Sequence, residues 1–179
     1  MEYPVYAEDG WRGRKAVWIK HSDKDTDAYH VDFRGSADMI VRRGGMQGPI
    51  VGKIDFHNFS NYVEIHFENN ERVEMRRDGL FSRTQIVDLP AAPGPTRFAW
   101  KSTLSHGSKF GGNLKLEDSN GQVLALFAHS CGMRKDGTLT IVVFRLQQSF
   151  LDQVIVSFMA VEEKQRRQAI SVAAGGASC

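Results

Sequence analysis

The stretch that decides the fold is residues 149–167, which read SFLDQVIVSFMAVEEKQRR. Apolar side chains cover one helix face there and much of the opposite one: Phe150, Leu151, Val154, Ile155, Val156, Phe158, Met159, Ala160 and Val161. A helix that is apolar nearly all round must be surrounded, either by protein or by lipid. Asp152, Gln153 and Ser157 interrupt the run, which is also shorter than the roughly 18 residues that a membrane span needs. We therefore predict a helix over residues 149–167 that is enclosed by protein.

Residues 15–144 show the period-two alternation of apolar and polar side chains that is typical of half-buried strands. Groups of Gly, Asn and Asp separate the alternating segments and predict turns. The predicted strands are residues 15–20, 29–34, 38–43, 50–57, 62–68, 72–77, 97–102, 113–117, 123–128 and 138–144. Many short strands around an apolar helix predict an all-β fold, a closed antiparallel β-barrel with a buried hydrophobic C-terminal helix. We expect one domain over residues 1–167 and a flexible tail over 168–179.

Composition narrows the class of function. The chain has 179 residues, with 23 basic and 21 acidic side chains and a formal net charge of +2. This near balance argues against a dedicated nucleic-acid binder, which would carry a clustered basic face. Cys131 and Cys179 are too few for a disulfide framework, and the N-terminus lacks the pattern of a signal peptide. We expect a cytoplasmic protein.

The segment from Ile50 to Arg77 can be aligned as hairpins from the sequence alone. A turn at residues 58–61 puts three pairs opposite one another: Lys53 and His66, Asp55 and Glu64, His57 and Tyr62. The apolar side chains of both strands then share the other face, as a correct register requires. A second turn at residues 69–71 predicts three more pairs: Glu68 and Arg72, His66 and Glu74, Glu64 and Arg76.

The polar face of these hairpins is the candidate site. We nominate His57 as the group that moves a proton, with Asp55 and Glu64 as supporting carboxylates and Tyr62 as a hydrogen-bond donor. Neighbouring carboxylates shift each other's pKa, and histidine titrates near neutrality, so the set suits acid–base catalysis. The same nitrogen and oxygen donors could hold a divalent metal. Alternatively, the face is a solvated outer wall carrying weak ion pairs.

Five further residues are candidates for binding a substrate: Trp100, Lys101, Phe59, His66 and Arg76. Trp100 would form an aromatic wall, and Lys101 could stabilise a developing oxyanion. Phe59 lies in a predicted turn, where loops commonly carry function. The alternative is that Trp100 fills the core and His57 only hydrogen-bonds the turn. No dinucleotide, zinc or haem motif is present, so we expect no cofactor and no metal.

Four segments resemble a known superfamily. They are residues 48–57 (GPIVGKIDFH), 98–101 (FAWK), 114–118 (LKLED) with 121–125 (GQVLA), and the helix that follows Asp152. Together they resemble small fungal proteins of the tubby C-terminal-like superfamily, whose relatives include plant LURP-type proteins and phospholipid scramblases. The resemblance spans most of residues 15–167. It implies a closed antiparallel barrel threaded by a central hydrophobic helix.

The resemblance also implies two classes of function. Some fungal barrels of this kind serve specialised metabolism, guiding dehydration or cyclisation, including hetero-Diels–Alder chemistry. With 11 Phe, 4 Tyr and 3 Trp to line a pocket, we expect an enzyme that binds a small apolar or aromatic substrate for dehydration, isomerisation or cyclisation. The alternative is a non-catalytic phosphoinositide or membrane adaptor like tubby, whose basic residues bind headgroups. No basic cluster in this sequence matches that motif, and a binding scaffold without catalysis is a third possibility.

Overall fold

The fold is a closed barrel with a helix inside it. The computed structural model describes residues 1–10, 13–23, 25–35, 38–57, 61–79, 82–103, 113–130, 136–143 and 145–175, without the side chains of 9, 10, 13 and 173–175. Within these residues, twelve antiparallel strands close into one barrel and a helix follows them. The expected all-β barrel with a C-terminal helix is confirmed.

The strands follow one another around the barrel in chain order, and β1 closes it by pairing with β12. Their bounds are β1 Glu2–Gly10, β2 Gly13–Lys20, β3 Asp27–Arg34, β4 Asp38–Arg43, β5 Ile50–Phe56, β6 Tyr62–Phe67, β7 Arg72–Arg77, β8 Gln85–Asp88, β9 Arg97–Thr103, β10 Asn113–Asp118, β11 Val123–His129 and β12 Gly137–Ile141. The helix α1 spans Gln148–Gly175. Successive side chains of a strand point to opposite faces. Val63, Ile65 and Phe67 of β6 therefore face the core, while Tyr62 and His66 face outward.

The first half of α1 runs through the barrel interior. Every residue from Phe150 to Glu163 is buried, as the all-round apolar pattern predicted. Val156 packs directly on the backbone of β5, because a Cβ atom at Gly52 would lie only 2.6 Å from its Cγ2. Such close packing of a side chain on a strand backbone requires glycine. The helix is thus the core around which the strands are wrapped.

Aromatic side chains from two nearby strands pack against the helix. The ring of Phe158 lies 4.7 Å from that of Phe127 on β11 and 5.9 Å from that of Trp100 on β9, measured between centroids. The indole Nε1 of Trp100 donates a hydrogen bond of 3.1 Å to Ser157 Oγ. Ser157 is a polar interruption of the apolar run, and this bond explains how it is accommodated inside.

Polar side chains fix the start of the helix. Asp152 accepts hydrogen bonds from the hydroxyl of Tyr29 at 2.8 Å, from Arg43 at 3.1 Å and from Gln148 at 2.8 Å. Burial raises the pKa of Asp152, and the bonds from Gln148 and Tyr29 offset part of that increase.

A buried guanidinium fixes the helix further along. Arg14 of β2 contacts Glu162 at 2.5 Å and Asp136, which precedes β12, at 2.7 Å. The charged side chains at both ends of the buried helix segment, Asp152 and Glu162, are therefore paired.

The helix is longer than predicted. It continues past Arg167 to Gly175. Residues 168–175 include three alanines, the residue with the highest helix propensity, and no glycine or proline before the last position. The end predicted at Arg167 is therefore wrong; the flexibility expected of the tail stays a prediction. No helix among the described residues has the length and apolar character needed to cross a membrane.

Two strands were not predicted. β1 contains Pro4, which argues against a strand because proline cannot donate to a ladder. Pro4 lies where β1 pairs with β12 but not yet with β2, so its missing N–H leaves the second ladder intact. β8 has only four residues, QIVD, which is too short for a clear alternation. Cys131, Cys179 and the predicted strand end at Phe144 lie outside the described residues.

Candidate functional site

The first hairpin has the predicted register. Lys53 lies opposite His66 and Asp55 opposite Glu64, so the polar face exists as expected. His57 follows β5 directly, and the centroid of its ring lies 5.4 Å from that of Tyr62 at the start of β6.

The second hairpin has a different register. The pairs observed are Tyr62 with Arg76, Glu64 with Glu74, and His66 with Arg72. The turn consists of residues 68–70, and Asn70 adopts a left-handed conformation at φ 61°. A three-residue hairpin loop commonly ends on such a residue, and asparagine tolerates it. The prediction was off by two residues, and because a slip of two preserves the faces, the same side chains still point outward.

Glu64 is the centre of the site. Its side chain is 9% exposed, although it lies on the outer wall of the barrel. Its Oε1 atom lies 2.6 Å from His66 Nε2, its Oε2 atom lies 3.4 Å from His57 Nε2, and Arg72 donates to Oε2. Burial raises the pKa of this carboxyl, but the hydrogen bonds from Arg72 and His66 outweigh that effect and hold the pKa below its usual value.

The imidazoles around Glu64 are accessible to solvent. The side chains of His57 and His66 are 44% and 37% exposed, and His66 Nε2 also lies 3.4 Å from Asp55 Oδ2. We call the assembled set the outer-wall cluster: Asp55, His57, Tyr62, Glu64, His66 and Arg72. A buried carboxylate that orients an exposed imidazole is an arrangement suited to proton transfer.

Three members of the outer-wall cluster could share a metal ion. One ligand atom each from Asp55, Glu64 and His66 lies within 4.8 Å of the others. Mixed nitrogen and oxygen donors suit a divalent transition metal. The guanidinium of Arg72 on Glu64 opposes such an ion, because it places a positive charge beside the shared carboxylate. The expectation of no metal and no cofactor stays a prediction.

An open groove lies beside the outer-wall cluster. Within their described bounds, β7 and β8 share two register pairs, Arg76 with Ile86 and Arg77 with Gln85. The groove over them has a volume of about 580 Å³. Its charged lining consists of Arg72, Glu74, Arg76, Arg77, Asp78, Asp88 and Arg97. This groove was not predicted because β8 was not predicted; the short apolar pair Ile86-Val87 is the signal that could have indicated the strand.

The other nominated residues are distributed differently. Trp100 is fully buried in the core, on the inner face of the barrel, as the alternative interpretation held. Lys101 is bound to Glu117 of β10 at 2.5 Å rather than to the outer-wall cluster. Arg76 lines the groove and contacts Glu74. Phe59 lies outside the described residues.

Comparison with known proteins identifies a family. The sequence model of a family described as "Family of unknown function (DUF6593)" matches residues 15–167. The chain matches no curated protein and no solved structure.

Proposed function

The chain belongs to this family of unknown function, DUF6593, and we propose that it is an enzyme that binds a small molecule on its outer wall and moves a proton on it. The observation that carries the proposal is Glu64, a buried carboxylate that holds His57 and His66 beside an open groove. Burying a charge is costly unless its partners are well placed. A solvated wall with incidental ion pairs would not require a buried carboxylate.

The chemistry fits dehydration, isomerisation or cyclisation. Each of these reactions requires a group that takes a proton from one position and returns it at another. At neutral pH an imidazole group can both accept and donate a proton. Acid–base catalysis by a positioned group typically contributes about 10²–10⁴-fold in rate. In this proposal His57 is the catalytic base, Glu64 orients it, and Asp55 and Tyr62 complete the hydrogen bonding around the reacting group.

The groove is the binding site in this proposal. A volume of about 580 Å³ suits a small organic ligand. Arginine stacks on aromatic faces and binds carboxylates with two parallel hydrogen bonds, so the lining suits an aromatic or apolar substrate that carries an acidic group. Arg72 belongs both to the groove and to the outer-wall cluster. In this proposal it holds the bound substrate close to the catalytic base, His57. The resemblance to small fungal barrels supports a role for such an enzyme in specialised metabolism.

The test is a ligand screen followed by turnover measurements. Small aromatic acids are first screened for a rise in the melting temperature of the protein, and the hits are then followed for conversion by mass spectrometry. Replacing His57 by Ala should reduce turnover at least about a hundredfold while the hits still bind. The matched control is His21→Ala, an exposed histidine away from the outer-wall cluster. Unchanged turnover in His57→Ala would exclude this site, and a gene beside polyketide or terpene synthase genes would support the metabolic role.

A second candidate function is a membrane adaptor that binds an anionic headgroup. The observation that favours it is the gathering of Arg72, Arg76, Arg77 and Arg97 around one groove. Lipid-binding patches that can be recognised in a sequence carry about 4–8 basic residues, and the four arginines of this groove meet the lower end of that range. Its carboxylates, Glu74, Asp78 and Asp88, counter most of that charge.

Vesicle sedimentation separates the two functions. Salt-sensitive binding to vesicles that contain phosphoinositides, and its loss in Arg97→Gln but not in Arg34→Gln, would favour the adaptor. Arg34 is an exposed arginine of β3 that does not line the groove. Absence of binding at low salt would leave the enzyme as the better candidate.

A further inference from the structure

Lys164 occupies an unusual position at one end of the barrel. It follows the buried part of α1 and is itself only partly exposed. Its Nζ donates to the backbone carbonyl of Asn61 at 3.1 Å and to Oε1 of Gln85 at 3.0 Å. Both acceptors are neutral, so neither stabilises the charged form of the amine as a carboxylate would.

Other lysines of this barrel differ from Lys164 in their charge environment. Lys101 and Lys115 each lie 2.5 Å from a carboxylate oxygen of Glu117. Among the described residues, no carboxylate lies within salt-bridge distance of Lys164. The adjacent Glu163 is bound by Arg166 and Arg167 instead. Burial, and then the positive charge of Arg77, lower the pKa of Lys164 to about 8.

We propose that Lys164 is a nucleophilic amine that condenses with the carbonyl group of an aldehyde or ketone. Its neutral Nζ attacks the carbonyl carbon, a C–N bond forms, and the carbonyl oxygen becomes the hydroxyl of a carbinolamine. Loss of that hydroxyl as water gives an imine, so nothing is oxidised or reduced. This activity does not rest on the outer-wall cluster.

Arg77 defines which carbonyl compound fits. It lines the groove and pairs across the strands with Gln85, the residue to which Lys164 Nζ donates, so the amine lies next to the groove lining. A carbonyl compound with a carboxylate could place the anion against the groove arginines and the carbonyl toward the amine. The ligand class is therefore a small aldehyde or ketone that carries an acidic group.

Reactivity at neutral pH follows from the fraction of free amine. With a pKa of about 8, Lys164 has roughly 200 times the neutral fraction of an ordinary lysine at pH 7.5. A less basic amine is also somewhat less nucleophilic, and partial burial slows access. We expect Lys164 to react at least about tenfold faster than Lys115.

The experiment is trapping with 4-carboxybenzaldehyde and cyanoborohydride at pH 7.5, with the sites and rates read by peptide mass spectrometry. The informative variant is Gln85→Glu, which keeps the shape of the acceptor but places a carboxylate beside Nζ. It should slow labelling of Lys164 to the rate of Lys115. The control, Lys115→Arg, should leave labelling of Lys164 unchanged. Equal rates for Lys164 and Lys115 in the unaltered protein would overturn the proposal.

A second measurement covers the case in which Gln85→Glu does not fold. The labelling rate of Lys164 in the unaltered protein should rise with pH to half its maximum near pH 8. A midpoint above pH 10 would refute the proposal. Labelling that persists in His57→Ala separates this amine chemistry from the acid–base function, because the two then fail independently.

Discussion

At the scale of single residues, Glu64 combines two properties that rarely coincide. It faces away from the barrel core, yet its side chain is almost fully covered. Its neighbours His57, His66 and Arg72 both cover it and supply its hydrogen bonds. The outer wall therefore contains a small polar core of its own.

Replacing Glu64 by Gln tests this arrangement. The amide keeps the shape but loses the charge that three donors share, so the free energy of unfolding should fall by about 1.5–3 kcal/mol. Urea unfolding at pH 7 measures it. Glu74→Gln is the matched control, because Glu74 is more exposed and its ion pair with Arg76 should contribute less than about 1 kcal/mol. Equal losses in the two variants would argue against a special role for Glu64.

The same carboxylate predicts a dependence of stability on pH. Its pKa in the folded protein is lower than in the unfolded chain, so it stabilises the fold above the unfolded value of about 4.3. That contribution is lost as the pH falls from there through the folded pKa. Unfolding free energies between pH 6 and pH 3 should decrease less steeply in Glu64→Gln than in the unaltered protein. The slope should not vanish, because Glu117 and Glu163 have lowered pKa values too.

At the scale of elements, the contact between β5 and α1 is the tightest test of packing. Adding a methyl group in Gly52→Ala would push against both methyl groups of Val156, at 2.6 and 2.8 Å. We expect this overpacking to cost about 1–3 kcal/mol of unfolding free energy. The second variant, Val156→Ala, removes the obstructing atoms.

The double variant separates a steric cause from any other. If the methyl groups collide, the double variant Gly52→Ala with Val156→Ala should lose less unfolding free energy than the two single variants lose together. The difference should be about 0.5–3 kcal/mol. Thermal or urea unfolding of all four proteins gives this coupling energy. Simple additivity would show that Gly52 is needed for another reason.

Sequence reasoning worked for elements with strong patterns and failed for weak ones. The helix was predictable because its apolar residues exceed one face, and the first hairpin because two apolar rows had to agree. The register of the second hairpin depended on the left-handed conformation of Asn70. The sequence does not indicate which residue of the pair Asn69-Asn70 adopts it. β8 was missed because four residues carry no periodicity, and the groove was missed with it. The burial of Glu64 could not be predicted, because it arises from side chains of β6, of β7 and of the residue that follows β5.

At the scale of the whole molecule, barrel and helix depend on each other. In the described part of the chain, the inner faces of the strands and the helix segment from Phe150 to Val161 pack on each other in one core. A chain that ends at Val143 should therefore show no cooperative thermal unfolding transition by circular dichroism. Its control, a chain that ends at Arg167, keeps the buried segment and should retain the transition. A sharp transition in the shorter chain would show that the strands fold alone.

The order of the elements has a consequence for synthesis in the cell. Because α1 follows β12, every strand is synthesised before the segment that fills the barrel has been translated. At about 5–20 residues per second, the 28 residues of α1 require roughly another 1–6 seconds. During that interval the apolar inner faces of the strands lack the helix on which they pack. Packing of the barrel interior therefore waits for α1, and a product terminated before α1 would be a substrate for chaperones and proteases.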